Sequence, residues 1–151
     1  MQGKAYQDLD EIQALIDKFL NKTLPLSEWT HAAHLTVGLY FVAKHGPVKA
    51  MDMMRDGIVA YNTTVGTVNS DSSGYHETIT QFWIWLLTAY WQKVQDKDEL
   101  VSACNSLLNS SFSDKDVFFK FYSRELLFSK VARRNFVPPD AAQLNIALIF
   151  E

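Results

Sequence analysis

Residues 35–43 read Leu-Thr-Val-Gly-Leu-Tyr-Phe-Val-Ala, apolar on nearly every side of a helix. Such a helix has no face to offer to water and is stable only at the centre of a bundle, wrapped by other helices. The remaining sequence supplies the wrapping. Leu9, Ile12, Ile16, Phe19 and Leu20 recur at helical spacing and give a first helix one apolar stripe. Thr23-Leu24-Pro25-Leu26 ends it, because proline steers the residue before it away from helical torsions. Ser27 is placed to cap a second helix running to about residue 45. Gly46 then suits the left-handed position after a helix, and Pro47 the first turn of the next. That third helix buries Met51, Met54, Ile58 and Tyr61 and ends near Asn62.

Residues 62–74 carry no periodicity, and loops of that length inside a compact domain tend to be functional or mobile. A fourth helix over residues 75–95 turns Ile79, Phe82, Trp83, Leu86, Tyr90 and Val94 inward. Asp96 and Glu99 open a fifth in the manner of a capping box, with Leu100, Cys104, Leu107 and Leu108 inward. Ser113 with Asp116 opens a sixth that holds Val117, Phe118, Phe121 and Tyr122. Residues 129–136 form a short seventh, ended by Pro138-Pro139, and the apolar tail at 144–150 is extended or helical. No segment alternates as a strand does. The expectation is an all-α fold, a single-domain bundle of about six to seven helices spanning residues 1–151. A chain of 151 residues buries roughly 70% of its unfolded surface and needs no staple.

Several function classes drop out. A formal net charge of −3 and a pI near 5.8 argue against a broad basic surface, so no nucleic acid is expected as a partner. A single cysteine, Cys104, excludes an intrachain disulfide and a Cys-rich zinc site and fits a reducing compartment. It stands on an apolar stripe with no basic neighbour and reads as an inert core thiol. The longest apolar run, residues 82–91, is about half the roughly 20 residues a membrane-spanning helix needs. Residues 1–10 carry acids and no signal-peptide core. A cytoplasmic protein without membrane partners is expected.

Chemistry-bearing residues gather in three clusters. Glu28-Trp29-Thr30-His31-Ala32-Ala33-His34 puts Glu28, His31 and His34 three apart, in one line on a helix surface. Gly38, one turn beyond His34, leaves room for a ligand or a close-packed helix. The second cluster, Gly74-Tyr75-His76-Glu77-Thr78, starts the fourth helix. If the second and fourth helices pack side by side, His76 and Glu77 meet His31 and His34 at one end of the bundle. Neutral imidazoles with a carboxylate suit a divalent metal, zinc, iron or nickel, and three protein ligands leave a position for an activated water. The spacing supports this in part: Glu-x-x-His occurs once, and Thr80 stands where His-Glu-x-x-His would need its second histidine. Equally, a histidine at a helix start caps or bonds a backbone carbonyl with no further role. His45, beside Gly46, complements the helix dipole.

The third cluster is Tyr122-Ser123-Arg124-Glu125-Leu126-Leu127-Phe128-Ser129, with Arg133 and Arg134 beyond it. An arginine among aromatics needs a partner. Arg124 either pairs with Glu77 or Glu28 or grips a substrate carboxylate or phosphate, while Arg133 and Arg134 face solvent. Trp29, Trp83, Tyr75 and Tyr122 lie within reach of the expected site.

The strings Leu26-Ser-Glu-Trp-Thr-His-x-x-His-Leu35, Gly74-Tyr-His-Glu-Thr78, Tyr122-Ser-Arg-Glu-Leu-Leu-Phe-Ser129 and Ala132-Arg…Phe136-Val-x-Pro-Asp140 resemble a family of small uncharacterised bacterial proteins. The likeness spans about residues 26–140 and implies an all-helical, bacterial, cytoplasmic protein, with no reaction or cofactor to carry over.

The leading expectation is a metal-dependent, hydrolase-like enzyme acting on a small acidic substrate. His31, His34 and His76 would bind the metal or act as acid–base groups, with Glu77 as a further ligand or general base. Arg124, Trp29, Tyr75 and Tyr122 would hold substrate, and residues 62–74 would close as a lid hinged at Gly66 and Gly74. Two alternatives stand beside it: a non-catalytic protein that binds a small anionic ligand, and a buried polar network in a homo-oligomer.

Overall fold

The structure, a computed structural model, describes residues 6–94 and 99–149. It is all-α: six helices and four single 3-10 turns, with no strand among the described residues. The first helix, α1 (Leu9–Leu20), starts at Asp8, whose carboxylate accepts the Glu11 N–H, while the Glu11 carboxylate reaches back to the Gln7 N–H. This reciprocal capture satisfies one free amide of the first turn, at Glu11, and one just before the cap, at Gln7. Ile12, Ile16 and Phe19 are buried as expected; Leu9 and Leu20, at the edges of the stripe, are more than 40% exposed.

The central helix is α2 (His31–Val65). Its cap is Thr30, whose hydroxyl accepts the Ala33 N–H at 3.2 Å. Ser27 instead lies in a 3-10 turn over Leu26–Glu28, so the helix begins three residues later than Ser27 predicts. Leu35, Thr36, Val37, Gly38, Leu39, Phe41 and Val42 are all buried, as a helix apolar all round demands. At Gly46 the backbone leaves the helix (φ 82°, ψ 165°), which divides α2 into residues 31–45 and 47–65. The second half runs past Asn62 to Val65, and Gly66 takes the left-handed cap (φ 86°).

Helix α3 (Glu77–Val94) packs along α2. A Cβ on Gly38 would stand 2.6 Å from Leu87 Cδ1, so the missing side chain sets how closely the two helices approach. Helix α4 (Leu100–Leu108) buries Ala103, Cys104, Leu107 and Leu108 against α2. Its Asn105 exchanges hydrogen bonds with the Tyr6 backbone at 2.8 Å each. Glu99 precedes α4 without a side-chain cap; Asp96, its expected partner, lies outside the described residues.

The expected sixth helix does not form. Residues 111–134 make two 3-10 turns (Ser111–Ser113, Val117–Lys120), then α5 (Arg124–Leu127) and α6 (Lys130–Arg134). Short polar side chains restart the backbone every few residues. Ser110, Asp114, Ser123 and Ser129 each accept a nearby amide, at Phe112, Asp116, Leu126 and Ala132. That local capture competes with a continuous helix. Thr78 then clamps the chain after α6 to α3, donating to the Asn135 carbonyl and accepting from the Val137 N–H. The tail at 144–149 holds one 3-10 turn, Ile146–Leu148. No helix among the described residues is long and apolar enough to cross a membrane.

The glycine torsions give a graded test. Gly66 sits in open space, so Gly66→Ala should cost about 1 kcal/mol for the left-handed backbone alone. Gly74 (φ 76°) is also walled in, with a Cβ meeting Asn69 Oδ1 at 2.5 Å and the Val68 carbonyl at 2.6 Å. Gly74→Ala should therefore cost at least about 2 kcal/mol in urea unfolding. Equal costs at the two positions would show that segment 67–74 yields easily.

Candidate functional site

Between α3 and the two halves of α2 lies a cavity of about 330 Å³. Leu35 and Gly38 contribute from the first half of α2, Met54 and Ile58 from the second. Helix α3 adds Ile79, Thr80, Trp83, Ile84 and Leu87, and Lys115 and Phe118 close one side. The wall is mostly apolar, and its remaining polar members are His31 and His34 in the first turn of α2. The three-residue spacing does bring these two together, as expected.

Each ring is held. His34 Nδ1 donates to the Thr30 carbonyl at 2.8 Å. Its face stacks on Trp29 with centroids 3.7 Å apart, and Trp29 stacks in turn on Phe19 at 4.6 Å. Burial lowers the His34 pKa to about 4, against a smaller opposing effect of the Thr30 carbonyl. His31 Nε2 donates to the Ser113 carbonyl at 2.9 Å, and its ring meets the edge of Trp83 at 5.1 Å. Desolvation lowers its pKa as well. Both imidazoles are neutral at pH 7, with the proton on the nitrogen that faces a carbonyl.

The second cluster does not join them. His76 Nε2 donates to the Leu127 carbonyl at 2.7 Å, and its Nδ1 accepts the Ile79 N–H at 3.1 Å. Both nitrogens are spent on tying α5 to the start of α3, leaving no lone pair for a metal. Glu77 is likewise consumed. Its Oε1 accepts from Arg55 Nε (2.9 Å) and the Tyr75 hydroxyl (2.7 Å), and its Oε2 from Arg55 (2.7 Å) and Gln81 (2.6 Å). The Arg55 guanidinium is the main reason its pKa falls to about 2. Among the described residues no three His, Cys, Asp or Glu side chains are placed to hold a metal ion. The metal centre expected of His31, His34 and His76 is thus corrected to a pair of cavity histidines and one structural histidine.

The other expected substrate residues are also engaged elsewhere. Arg124 is exposed and lies over the rings of Phe119 (4.5 Å) and Phe128 (5.7 Å), paired with neither Glu77 nor Glu28. The Tyr122 hydroxyl donates to the Val137 carbonyl at 2.6 Å, and burial pushes its pKa up to about 12. Tyr75 serves Glu77, and burial raises its pKa. Trp29 backs His34 without lining the cavity. Glu28 borders a separate hollow beside α1. Cys104 is buried against Thr36 with its pKa raised by desolvation to about 11, the inert thiol expected.

The expected lid is pinned. Asn69 accepts from Asn62 and from the Tyr75 N–H, and Asp71 receives a two-pronged contact from Arg134. Arg133, expected in solvent, donates to the carbonyls of Gly74 and Tyr75. None of residues 62–74 lines the cavity. Conversely, Arg55, on Glu77, and Lys115, on the cavity, carry no motif in the sequence, and Met54 and Ile58 read there as plain core. The stripe of Met54 and Ile58 carried no sign that it borders a void.

The chain matches no protein-family model, no curated protein and no solved structure.

Two solution measurements probe this geometry. Unfolded, an imidazole takes its proton near pH 6.5; folded, His34 takes it only near pH 4. The unfolded state binds the extra proton in between, so stability is full above pH 6.5 and falls as the pH drops toward 4. His31 and His76 are shifted the same way. We expect urea stability to fall by on the order of 2 kcal/mol between pH 7 and 4.5, and His34→Gln to flatten that slope. Second, Glu77→Ala takes their shared acceptor from Arg55, Tyr75 and Gln81, leaving Arg55 only Asp52, and should cost about 1–3 kcal/mol in the same assay. A neutral outcome there would demote the cluster to a surface pair.

Proposed function

We propose that this chain is a small-molecule binding protein. Its ligand lies between α2 and α3, with an apolar body against Met54, Ile58, Ile84 and Leu87 and a polar end toward His31 and His34. The observation that carries this is the cavity itself. About 330 Å³ of space has apolar walls drawn from three parts of the chain and two fixed imidazoles at one end, the usual make-up of a ligand pocket. The hydrolase reading draws less support, because Glu77 and His76 have no free atoms to offer chemistry. His34, with a pKa near 4, is also a weak general base at neutral pH, where the best bases titrate close to the working pH.

A thermal-shift screen of compact aromatic and aliphatic compounds tests this, run beside Ile79→Trp, which fills the cavity from a half-buried position. A true ligand at a hundred times its Kd adds about 2.7 kcal/mol, equivalent to a rise of several degrees in Tm for a chain of this size. We expect such rises in the wild type and none in Ile79→Trp. Rises of equal size in both proteins would place binding elsewhere and end the proposal.

A further inference from the structure

We infer that the cavity selects ligands carrying a neutral hydrogen-bond donor, a hydroxyl or phenol, on a compact apolar body, and that His31 and His34 read that donor. This rests on the binding reading above and names the class of its ligand.

A neutral imidazole has one donor nitrogen and one acceptor. A backbone carbonyl only accepts, so the nitrogen facing it must carry the proton. In His34 that nitrogen is Nδ1, on Thr30, and in His31 it is Nε2, on Ser113. Nε2 of His34 and Nδ1 of His31 are therefore left as lone pairs. Among the described residues no buried side-chain nitrogen or oxygen lacks a partner. These two nitrogens have no hydrogen-bond partner among the described residues, so they are not buried, and both rings line the cavity. Thr80, also in the wall, spends its hydroxyl proton on the His76 carbonyl at 2.8 Å and has none to give. The wall thus offers two imidazole acceptors; its donors are the indole N–H of Trp83, whose ring meets His31, and the exposed Lys115.

Two further observations make this a reading device. The rings cannot turn freely, because His34 is stacked on Trp29 and His31 is braced by Trp83. Nor do they pick up protons at neutral pH, since desolvation holds both pKa values down. A carboxylate pushed inside would lose its hydration and face lone pairs, an unfavourable exchange in an apolar space. A hydroxyl brings a proton to the two imidazole lone pairs.

The test uses four probes on one skeleton with the full chain at pH 7.5: para-propylphenol, its methyl ether, para-propyltoluene and para-propylbenzoate, titrated by calorimetry. The phenol should bind about tenfold more tightly than the ether and the hydrocarbon, about the contribution of one hydrogen bond, and the benzoate should be weakest. His34→Gln, which supplies a donor of its own, and His31→Leu should each shrink the preference to within about threefold while hydrocarbon affinity persists. Phenol and hydrocarbon binding equally would overturn the donor class and leave the pocket reading in place. Benzoate binding most tightly would assign recognition to Lys115 and overturn it too. Binding by none of the four would remove both readings. The wild-type comparison alone decides the matter if either variant fails to fold.

Discussion

The approach of α2 to α3 at Gly38 is the contact from which the architecture is built. Two helices with little polar surface must bury each other, and the missing side chain at 38 lets Leu87 press almost onto the α2 backbone. With that pair as a spine, α1 and α4 cover remaining faces of α2, and α6 packs on α3. The same glycine forms part of the cavity wall. Close packing and empty space are thus neighbours: where side chains from α3 fill the notch the helices touch, and where they do not a ligand-sized void remains.

Helix type and order were legible because apolar spacing is a local property. Ile12, Ile16 and Phe19 declared α1, residues 35–42 declared a central helix, and Gly46-Pro47 marked the break, all as found. Residues 109–136 were harder. Their apolar content suits a helix, yet Ser110, Asp114, Ser123 and Ser129 each capture a nearby amide and cut the segment into turns. Such competition is decided by which hydrogen bond is better, and spacing does not reveal that.

The site was legible by half. His31 and His34 share a helix, so their proximity follows from geometry within one element. The convergence of His76 and Glu77 on them required a rotational setting between two helices that no local pattern encodes. In the fold, Arg55 claims Glu77 from the second half of α2, and a bare carbonyl on Leu127 claims His76. Both partners lie far off in the chain, at a carbonyl with no sequence signature and at an arginine flanked by ordinary surface acids. A cavity is harder still to foresee, since Met54 and Ile58 look the same whether they touch a neighbour or a void.

The break at Gly46 has a consequence for how this chain can vary in length. Beyond it, residues 47–65 form one uninterrupted helix with three separate engagements: Met54 and Ile58 on the cavity, Arg55 on Glu77 and Asn62 on Asn69. Adding or deleting a single residue within that span turns everything after it by about 100° around the helix axis. A change before Met54 would turn all three engagements the wrong way together, and one before Asn62 at least the last of them. Substitution can be absorbed at most of its exposed positions, but the count of residues between Gly46 and Gly66 is held rigid by geometry, a phase lock on the second wall of the cavity.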